Sequence, residues 1–433
     1  MKQLQGKLSS CMINIFKTDS IKKSLLIITF CLLSFMMSID TGYYNISLIL
    51  VVISYVIYFL SSKGCTSVDI RYRKHLITWG VFIFIQIFLL FKNQNIIEAG
   101  AKIIDSVHIL VIGILFSINF HDFKIPYGNL LKSFIAGVML ISLKINYCVI
   151  QHIFENEEPL YRLITHYHRN FIIEIVPDIM QPLYLSFYVL ISILLVIFYF
   201  NGKVFLRFLI SIYLLFIIYI LSTKSSVLLI FTLFYLFLLT KILRKINVSN
   251  QLKMILTLIF NLFILWLLVS VLPGIASELI NELNVKFWSQ DTLSRILNFI
   301  SEGDNARIQN WQSALKLFIQ NPWLGVGGGD YLTSLQNIRK TDSWAYLNNA
   351  HTHNQYLDIL ICYGIIGFIP FVTFILSHLY KSFQNLKVDI YSSIMISFSL
   401  FMFIENILYR QKGVVIFAFF YFIFVRYSNN KIK

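Results

Sequence analysis

The sequence predicts an all-α polytopic membrane protein with about twelve transmembrane helices and a large periplasmic loop, containing amphipathic helices, between spans nine and ten. Two observations on composition support this fold class. Hydrophobic residues make up 57% of the 433 residues and charged residues only 13%, and the mean hydropathy is +0.72. One soluble core cannot hide that much apolar surface. A third observation is that long apolar runs recur along the chain, and helices satisfy every backbone amide inside a bilayer.

The predicted spans are apolar runs that approach the roughly 20 residues needed to cross the hydrocarbon core. Nine runs precede the loop, at 25–39, 44–60, 76–91, 103–120, 130–150, 182–200, 208–221, 227–239 and 254–273. Three follow it, at 356–379, 390–408 and 414–425. The chain therefore divides into spans one to nine in residues 1–273, a loop module with the catalytic residues in residues 274–355, and spans ten to twelve in residues 356–433.

The charge pattern predicts the orientation of these spans. The formal net charge is +15, which by itself would suit nucleic acid. The positive residues, however, concentrate in alternate connections, such as 63–74, 241–253 and 426–433. Because positively charged connections stay in the cytoplasm, both termini are expected there, with the long loop on the outer side. We therefore expect membrane lipids as neighbours and no nucleic acid partner.

The long loop contains a predicted helix followed by a glycine-rich turn. Apolar residues recur at helical spacing over 308–318, which suits a helix that lies on the membrane surface or packs on the bundle. Arg307 belongs to its first turn. Pro322 ends the helix, because proline lacks an amide donor and disfavours helical geometry before it. Gly325 and the glycines at 327–329 then form a turn that is either structural or offers amides to phosphate.

Two histidines, His351 and His353, come directly before the tenth span, and Asn354 follows them. Histidines two residues apart suit a metal site only if more ligands are near, and Asp358 is the one close carboxylate in sequence. The five cysteines show no metal-ligand spacing. We expect no metal. A neutral imidazole here is either a hydrogen-bonded core group or a base or orienting acceptor for a sugar hydroxyl.

These residues form a pattern that resembles the O-antigen ligase and polymerase superfamily of bacterial envelopes. The spacing from His353-Asn354 through nine residues to a Gly-x-x-Gly is more similar to the ligase branch. The full pattern is Arg307, Trp311, Ala314, Leu315, Phe318, Asn321-Pro322, Gly325-Val326-Gly327, His353-Asn354 and Gly364-Ile365-Ile366-Gly367.

The resemblance implies a metal-independent, inverting glycosyltransferase without a cofactor, on the periplasmic face of the bacterial inner membrane. It implies transfer of a polysaccharide from undecaprenyl pyrophosphate to a sugar of lipid A-core. The alternative is a polymerase, whose acceptor is a second lipid-linked repeat unit. A flippase or other transporter is a third reading, but it would carry charged residues along a path through its spans. Here Asp105, Lys144 and Glu405 are scattered near span ends.

The resemblance also implies roles for individual residues. Arg307 would be a catalytic residue that clamps the pyrophosphate, since its planar fork fits phosphate. His353 would be the catalytic histidine that orients or deprotonates the acceptor hydroxyl. Lys224 stands where the family has an arginine, so it keeps the charge without the fork, or it is an interfacial lysine with no such role. Possible further substrate contacts are Arg162, Arg169, His351 and Asn354.

Overall fold

The described part of this computed structural model is almost entirely helical. It comprises residues 19–39, 41–61, 66–120, 123, 125–155, 157, 181–200, 202–221, 226, 229–234, 241, 305–384 and 390–427. The helices are α1 (Asp19–Met36), α2 (Thr41–Ser61), α3 (Ile70–Leu90), α4 (Ile96–Ser117), α5 (Tyr127–Glu155), α6 (Pro182–Phe198), α7 (Val204–Ile220), α8 (Asn305–Gln320), α9 (Tyr331–Gln336), α10 (Trp344–Leu347), α11 (Gln355–Gln384), α12 (Ile390–Ile404) and α13 (Gln411–Tyr427). A 3-10 helix, Ile407–Tyr409, joins α12 to α13.

Five of the described helices, α2, α3, α4, α5 and α11, are long and apolar enough to cross a membrane. Helices α6, α7, α12 and α13 are apolar but contribute shorter stretches. Each overlaps a span predicted from the sequence, so the helical membrane class is confirmed. The predicted span 254–273 lies outside the described residues, as does most of 227–239. The total of twelve spans therefore stays a prediction.

Helix α13 forms the centre of the described bundle. Every residue from Val414 to Val425 is at most 2% exposed, as expected for a helix that is apolar on all sides. It packs chiefly against α4 and also contacts α3 and α12. Helix α2 behaves differently, since it exposes Ile46, Ile49 and Ile53 on one face. An exposed apolar face of this kind suits contact with lipid.

Two short strands lie at one end of the bundle, and the polar connections meet at the other. Strand β1 (Thr66–Val68) pairs antiparallel with β2 (Ile118–Phe120), just before α3 begins. At the opposite end of α3, Asn93 accepts a hydrogen bond from the Gly329 amide at 2.7 Å. The Tyr409 hydroxyl donates to Glu98 at 3.4 Å, and the Leu408 amide beside it donates to Gln355 at 2.8 Å. Three connections predicted to lie on the outer side of the membrane are therefore neighbours in space.

The glycine-rich turn after α8 fills a break in α11. Gly364 interrupts α11 with φ 60° and ψ −165°. Around this break, the Ile365 amide donates to the Pro322 carbonyl at 2.8 Å, and the Gly327 amide donates to the Cys362 carbonyl at 2.9 Å. The turn therefore supplies hydrogen bonds that a continuous helix would make internally. This arrangement favours the structural reading of the turn over phosphate binding, because its amides are used within the protein.

Replacing Gly364 with alanine is expected to destabilise the protein by about 3 kcal/mol or more, through backbone strain and overpacking. A Cβ there would lie 2.3 Å from the backbone of Trp323, and φ is positive. Gly80→Ala is the matched control, since no atom lies within 4 Å of its Cβ position. Thermal unfolding of both purified variants measures the difference. Equal melting temperatures would contradict this account of the break.

Candidate functional site

The candidate site lies where the start of α8, the segment before α11 and the end of α12 meet. Its centre is a histidine–glutamate cluster formed by His351, His353 and Glu405. His353 Nδ1 lies 3.0 Å from Glu405 Oε2, and His351 Nε2 lies 3.5 Å from Glu405 Oε1. The two imidazole rings are 4.1 Å apart between centroids. Residues separated by more than fifty positions in sequence therefore share one contact network.

A sharp turn before α11 presents the two histidines. His353 adopts a left-handed backbone conformation with φ 54°, which is uncommon for a residue with a side chain. The Thr352 hydroxyl supports the turn, because it accepts the Asn354 amide at 3.1 Å and lies 2.6 Å from Asp358 Oδ1. Such a strained residue persists only when its surroundings hold it in place.

Asn354 caps α11. Its side-chain oxygen accepts the amides of Tyr356 and Leu357 at 3.0 and 3.1 Å, and the residue is only 5% exposed. Asparagine is a preferred residue at this position, since it satisfies amides that lack a partner in the first turn. In this arrangement, the side-chain oxygen of Asn354 therefore stabilises the turn.

Helix α8 holds the histidine turn from the other side. Trp311 Nε1 donates to the Thr352 carbonyl at 2.9 Å, and Asn310 donates to the His351 carbonyl at 2.8 Å. Arg339 in turn donates to the Asn310 side chain at 2.6 Å. No sequence motif pointed to Arg339. It is a buried cation that also donates to the Ala350 carbonyl, directly before the histidines, so it has a structural task at this turn.

The predicted helix in the loop is confirmed, but its packing face is offset from the predicted stripe. The face buried against the bundle contains Asn310, Ala314 and Leu317, whereas Ile308, Leu315 and Ile319 are exposed. Side-chain hydrogen bonds decide the packed face here. The exposed apolar residues suit a helix that also borders the membrane surface.

Arg307 projects from the first turn of α8 toward the end of α12. Its Nη1 lies 3.4 Å from the Ile404 carbonyl. Ile404 directly precedes Glu405, the carboxylate of the cluster. The structure thus brings the predicted arginine and the predicted histidine to the same helix end.

The electrostatics of the cluster assign distinct roles to its members. Burial, together with the charges of His353 and Arg410, outweighs the opposite effect of Glu405 and lowers the pKa of His351 to about 4. Burial alone would raise the pKa of Glu405, but the hydrogen bond and charge of His353 outweigh it, so the net shift is downward. At neutral pH, His351 is therefore neutral and Glu405 is ionised.

The three side chains could also hold a metal ion, because their ligand atoms all lie within 4.8 Å of one another. One hydrogen bond opposes this use. The His353 amide donates to His351 Nδ1 at 3.2 Å, which places the proton of the neutral ring on Nε2. Nε2 is the atom that would have to bind the metal. The geometry therefore favours a hydrogen-bonded cluster.

The carboxylate beside the histidines is Glu405 and not Asp358, which is the closer one in sequence. Asp358 instead bonds Thr352 and Asn406, while Glu405 contacts both imidazoles. From the sequence alone, Glu405 is one of a few scattered charges near span ends. The available signal was the polar pair Glu405-Asn406 inside an otherwise apolar predicted span.

The other predicted site residues, Lys224, Arg162 and Arg169, lie outside the described part of the chain. Within that part, two further cations lie near the site. Arg410 is exposed on the turn after the 3-10 helix and is close enough to lower the pKa of His351. Lys102 lies 3.4 Å above the ring of Tyr331.

Fold and site together define a helical membrane protein with a polar arginine, histidine and glutamate centre at one end of its bundle. The family model described as O-antigen ligase matches residues 208–372. This match supports an assignment of that segment to the O-antigen ligase-like superfamily. The matched segment contains Arg307 and His353 but ends before Glu405. None of the curated proteins compared with the chain matches it.

Proposed function

We propose that the protein is an O-antigen ligase-type glycosyltransferase. It moves a polysaccharide from undecaprenyl pyrophosphate to a sugar of lipid A-core on the periplasmic face of the bacterial inner membrane. One observation carries the proposal: Arg307 and a histidine paired with a carboxylate converge on the end of α12. The family match to residues 208–372 supports the same class of chemistry.

The reaction needs a cation for the leaving group and an acceptor for one proton. The oxygen of the acceptor hydroxyl forms a bond to the anomeric carbon of the donor. The bond from that carbon to the pyrophosphate oxygen breaks, and its electron pair leaves with the pyrophosphate. The hydroxyl proton passes to Nε2 of His353. Attack on the face opposite the leaving group inverts the anomeric carbon.

Arg307 neutralises the departing pyrophosphate in this scheme. Its guanidinium offers two parallel N–H groups, which match the spacing of phosphate oxygens. Charge that develops on the leaving group is stabilised best by donors already in position. Lys224 is proposed as the second cation on the pyrophosphate. Arg162 and Arg169 are proposed to contact the glycan or the phosphates of the core.

The main alternative acceptor is a second lipid-linked repeat unit, which would make the protein a polymerase. The chemistry at the anomeric carbon would be the same for both acceptors. The spacing from His353-Asn354 to Gly364 and Gly367 favours the ligase. The acceptor therefore decides between the two functions, and it has to be identified in cells.

Cells that lack the protein provide the test. The lipopolysaccharide is separated on a gel, and the lipid-linked glycan is extracted and sized in parallel. If the protein is a ligase, its absence leaves long chains on undecaprenyl pyrophosphate and none on lipid A-core. Single repeat units on both carriers would identify a polymerase instead. An unchanged gel together with an unchanged lipid-linked pool would contradict both functions.

A further inference from the structure

We propose that Glu405 is a positioning residue for His353. It holds the imidazole with Nδ1–H toward the carboxylate, so that Nε2 is left as the proton acceptor, and it stabilises the ring after protonation. The inference rests on the proposed function, which gives His353 its role at the acceptor hydroxyl. It adds a residue that lies outside the segment matched by the family model.

The carboxylate is fixed from three directions. Oε2 lies 3.0 Å from His353 Nδ1. Oε1 accepts the Asn406 amide at 3.2 Å and faces His351 Nε2 at 3.5 Å. The residue is only 7% exposed. A carboxylate fixed in this way can orient the imidazole ring that it contacts, because the carboxylate itself moves little.

The contact also determines which nitrogen of His353 carries the proton. An ionised carboxylate only accepts hydrogen bonds, so the ring atom that faces it must be a donor. A neutral imidazole has a single N–H group. With that group on Nδ1, the lone pair is on Nε2, which is the form required of a base toward a sugar hydroxyl.

Charge stabilisation follows from the same contact. When Nε2 takes the proton of the hydroxyl, the imidazole becomes a cation directly beside the ionised Glu405. The side chains of His353 and Glu405 are only 22% and 9% exposed, and an electrostatic interaction between partly buried groups is stronger than in water. His351 does not compete for the carboxylate as a cation, because burial keeps its pKa near 4. As a neutral ring, it places its Nε2 3.5 Å from the second carboxylate oxygen.

The kinetic test uses Glu405→Gln in the full-length protein, reconstituted with lipid-linked donor and acceptor. Glutamine keeps the shape but removes the charge. We expect kcat to fall on the order of 10²-fold with little change in KM, and Glu405→Asp to recover part of the loss. Asp342→Asn is the matched control, since Asp342 is an exposed carboxylate in the segment between α9 and α10. It should transfer at the wild-type rate.

A double variant separates positioning from general support of the fold. If Glu405 acts through His353, the residual rate of His353→Ala/Glu405→Gln equals that of His353→Ala alone. A double variant that is slower by the full factor of Glu405→Gln would overturn the inference. A fully active Glu405→Gln variant together with an inactive His353→Ala variant would also overturn the inference about Glu405. That result would not contradict the proposed function. Full activity of both single variants would instead remove the proposed function.

A spectroscopic readout is independent of turnover. Nitrogen-15 NMR of histidine-labelled protein in lipid nanodiscs distinguishes the two neutral tautomers of each ring. We expect the proton on Nδ1 in His353 and on Nε2 in His351, with assignment from the single histidine variants. In Glu405→Gln, His353 should lose its Nδ1–H preference. An unchanged His353 tautomer in that variant would overturn the inference.

Discussion

Arg307→Ala is expected to reduce glycan transfer by a factor on the order of 10³ or more, which is below detection in most transfer assays. The Arg307 guanidinium reaches the end of α12, beside the histidine–glutamate cluster. Without it, the departing pyrophosphate would lose the bidentate donor that we propose for it. Transfer from a radiolabelled lipid-linked donor to acceptor measures the loss. The level of membrane-inserted protein, measured in parallel, should stay unchanged.

Two controls make the arginine result specific. Arg307→Lys keeps the charge and loses the planar fork, so an intermediate rate is expected. Lys316→Ala removes an exposed cation from the same helix, far from the cluster in sequence, and should transfer normally. Wild-type transfer by Arg307→Ala would exclude this residue from the mechanism.

His353→Ala is expected to abolish transfer, whereas His351→Ala should be milder. A positioned base contributes on the order of 10²- to 10⁴-fold to rate, and His353 is the ring whose Nδ1 contacts Glu405 at 3.0 Å. His351 only supports the second oxygen, at 3.5 Å. We expect the transfer rate of the His351 variant to fall by about tenfold. Initial rates of the two purified variants under one set of donor and acceptor concentrations make the comparison.

The backbone at His353 requires its own control, because its φ is 54°. Alanine is strained in this conformation, so a loss of activity could reflect a distorted turn. Asparagine tolerates the left-handed region better and has no basic ring nitrogen. An inactive but normally stable His353→Asn variant would assign the loss to the imidazole. Equal activity of this variant and the wild type would contradict the proposed site.

The helices could be predicted from the sequence because membrane spans are encoded locally. An apolar run of sufficient length has few alternatives in a bilayer, and the described helices follow the predicted runs closely. The break in α11 could not be predicted in this way. In sequence, Gly364 is one glycine within an apolar run. Its conformation is explained only by the close approach of Trp323 and by the hydrogen bond from the Ile365 amide to Pro322.

Only those site residues that belong to the sequence motif could be predicted. Arg307 and His353 were found through their spacing relative to other residues. Glu405 was not, because 52 positions separate it from His353 and only the fold joins them. The packed face of α8 was also missed, since a hydrophobic pattern gives no weight to Asn310, whose side chain bonds the backbone of the turn.

The central place of α13 has a consequence for how the molecule is assembled. Domains and segments generally form in the order in which the ribosome delivers them, and α13 follows every other described helix. Tyr72 of α3 donates to the Phe422 carbonyl at 3.0 Å, and the Phe422 ring fills the space above Gly113 of α4. The groove that α3 and α4 form for the Phe422 ring is therefore filled only after every other described helix has been synthesised. The final packing of the centre of the bundle depends on this late segment.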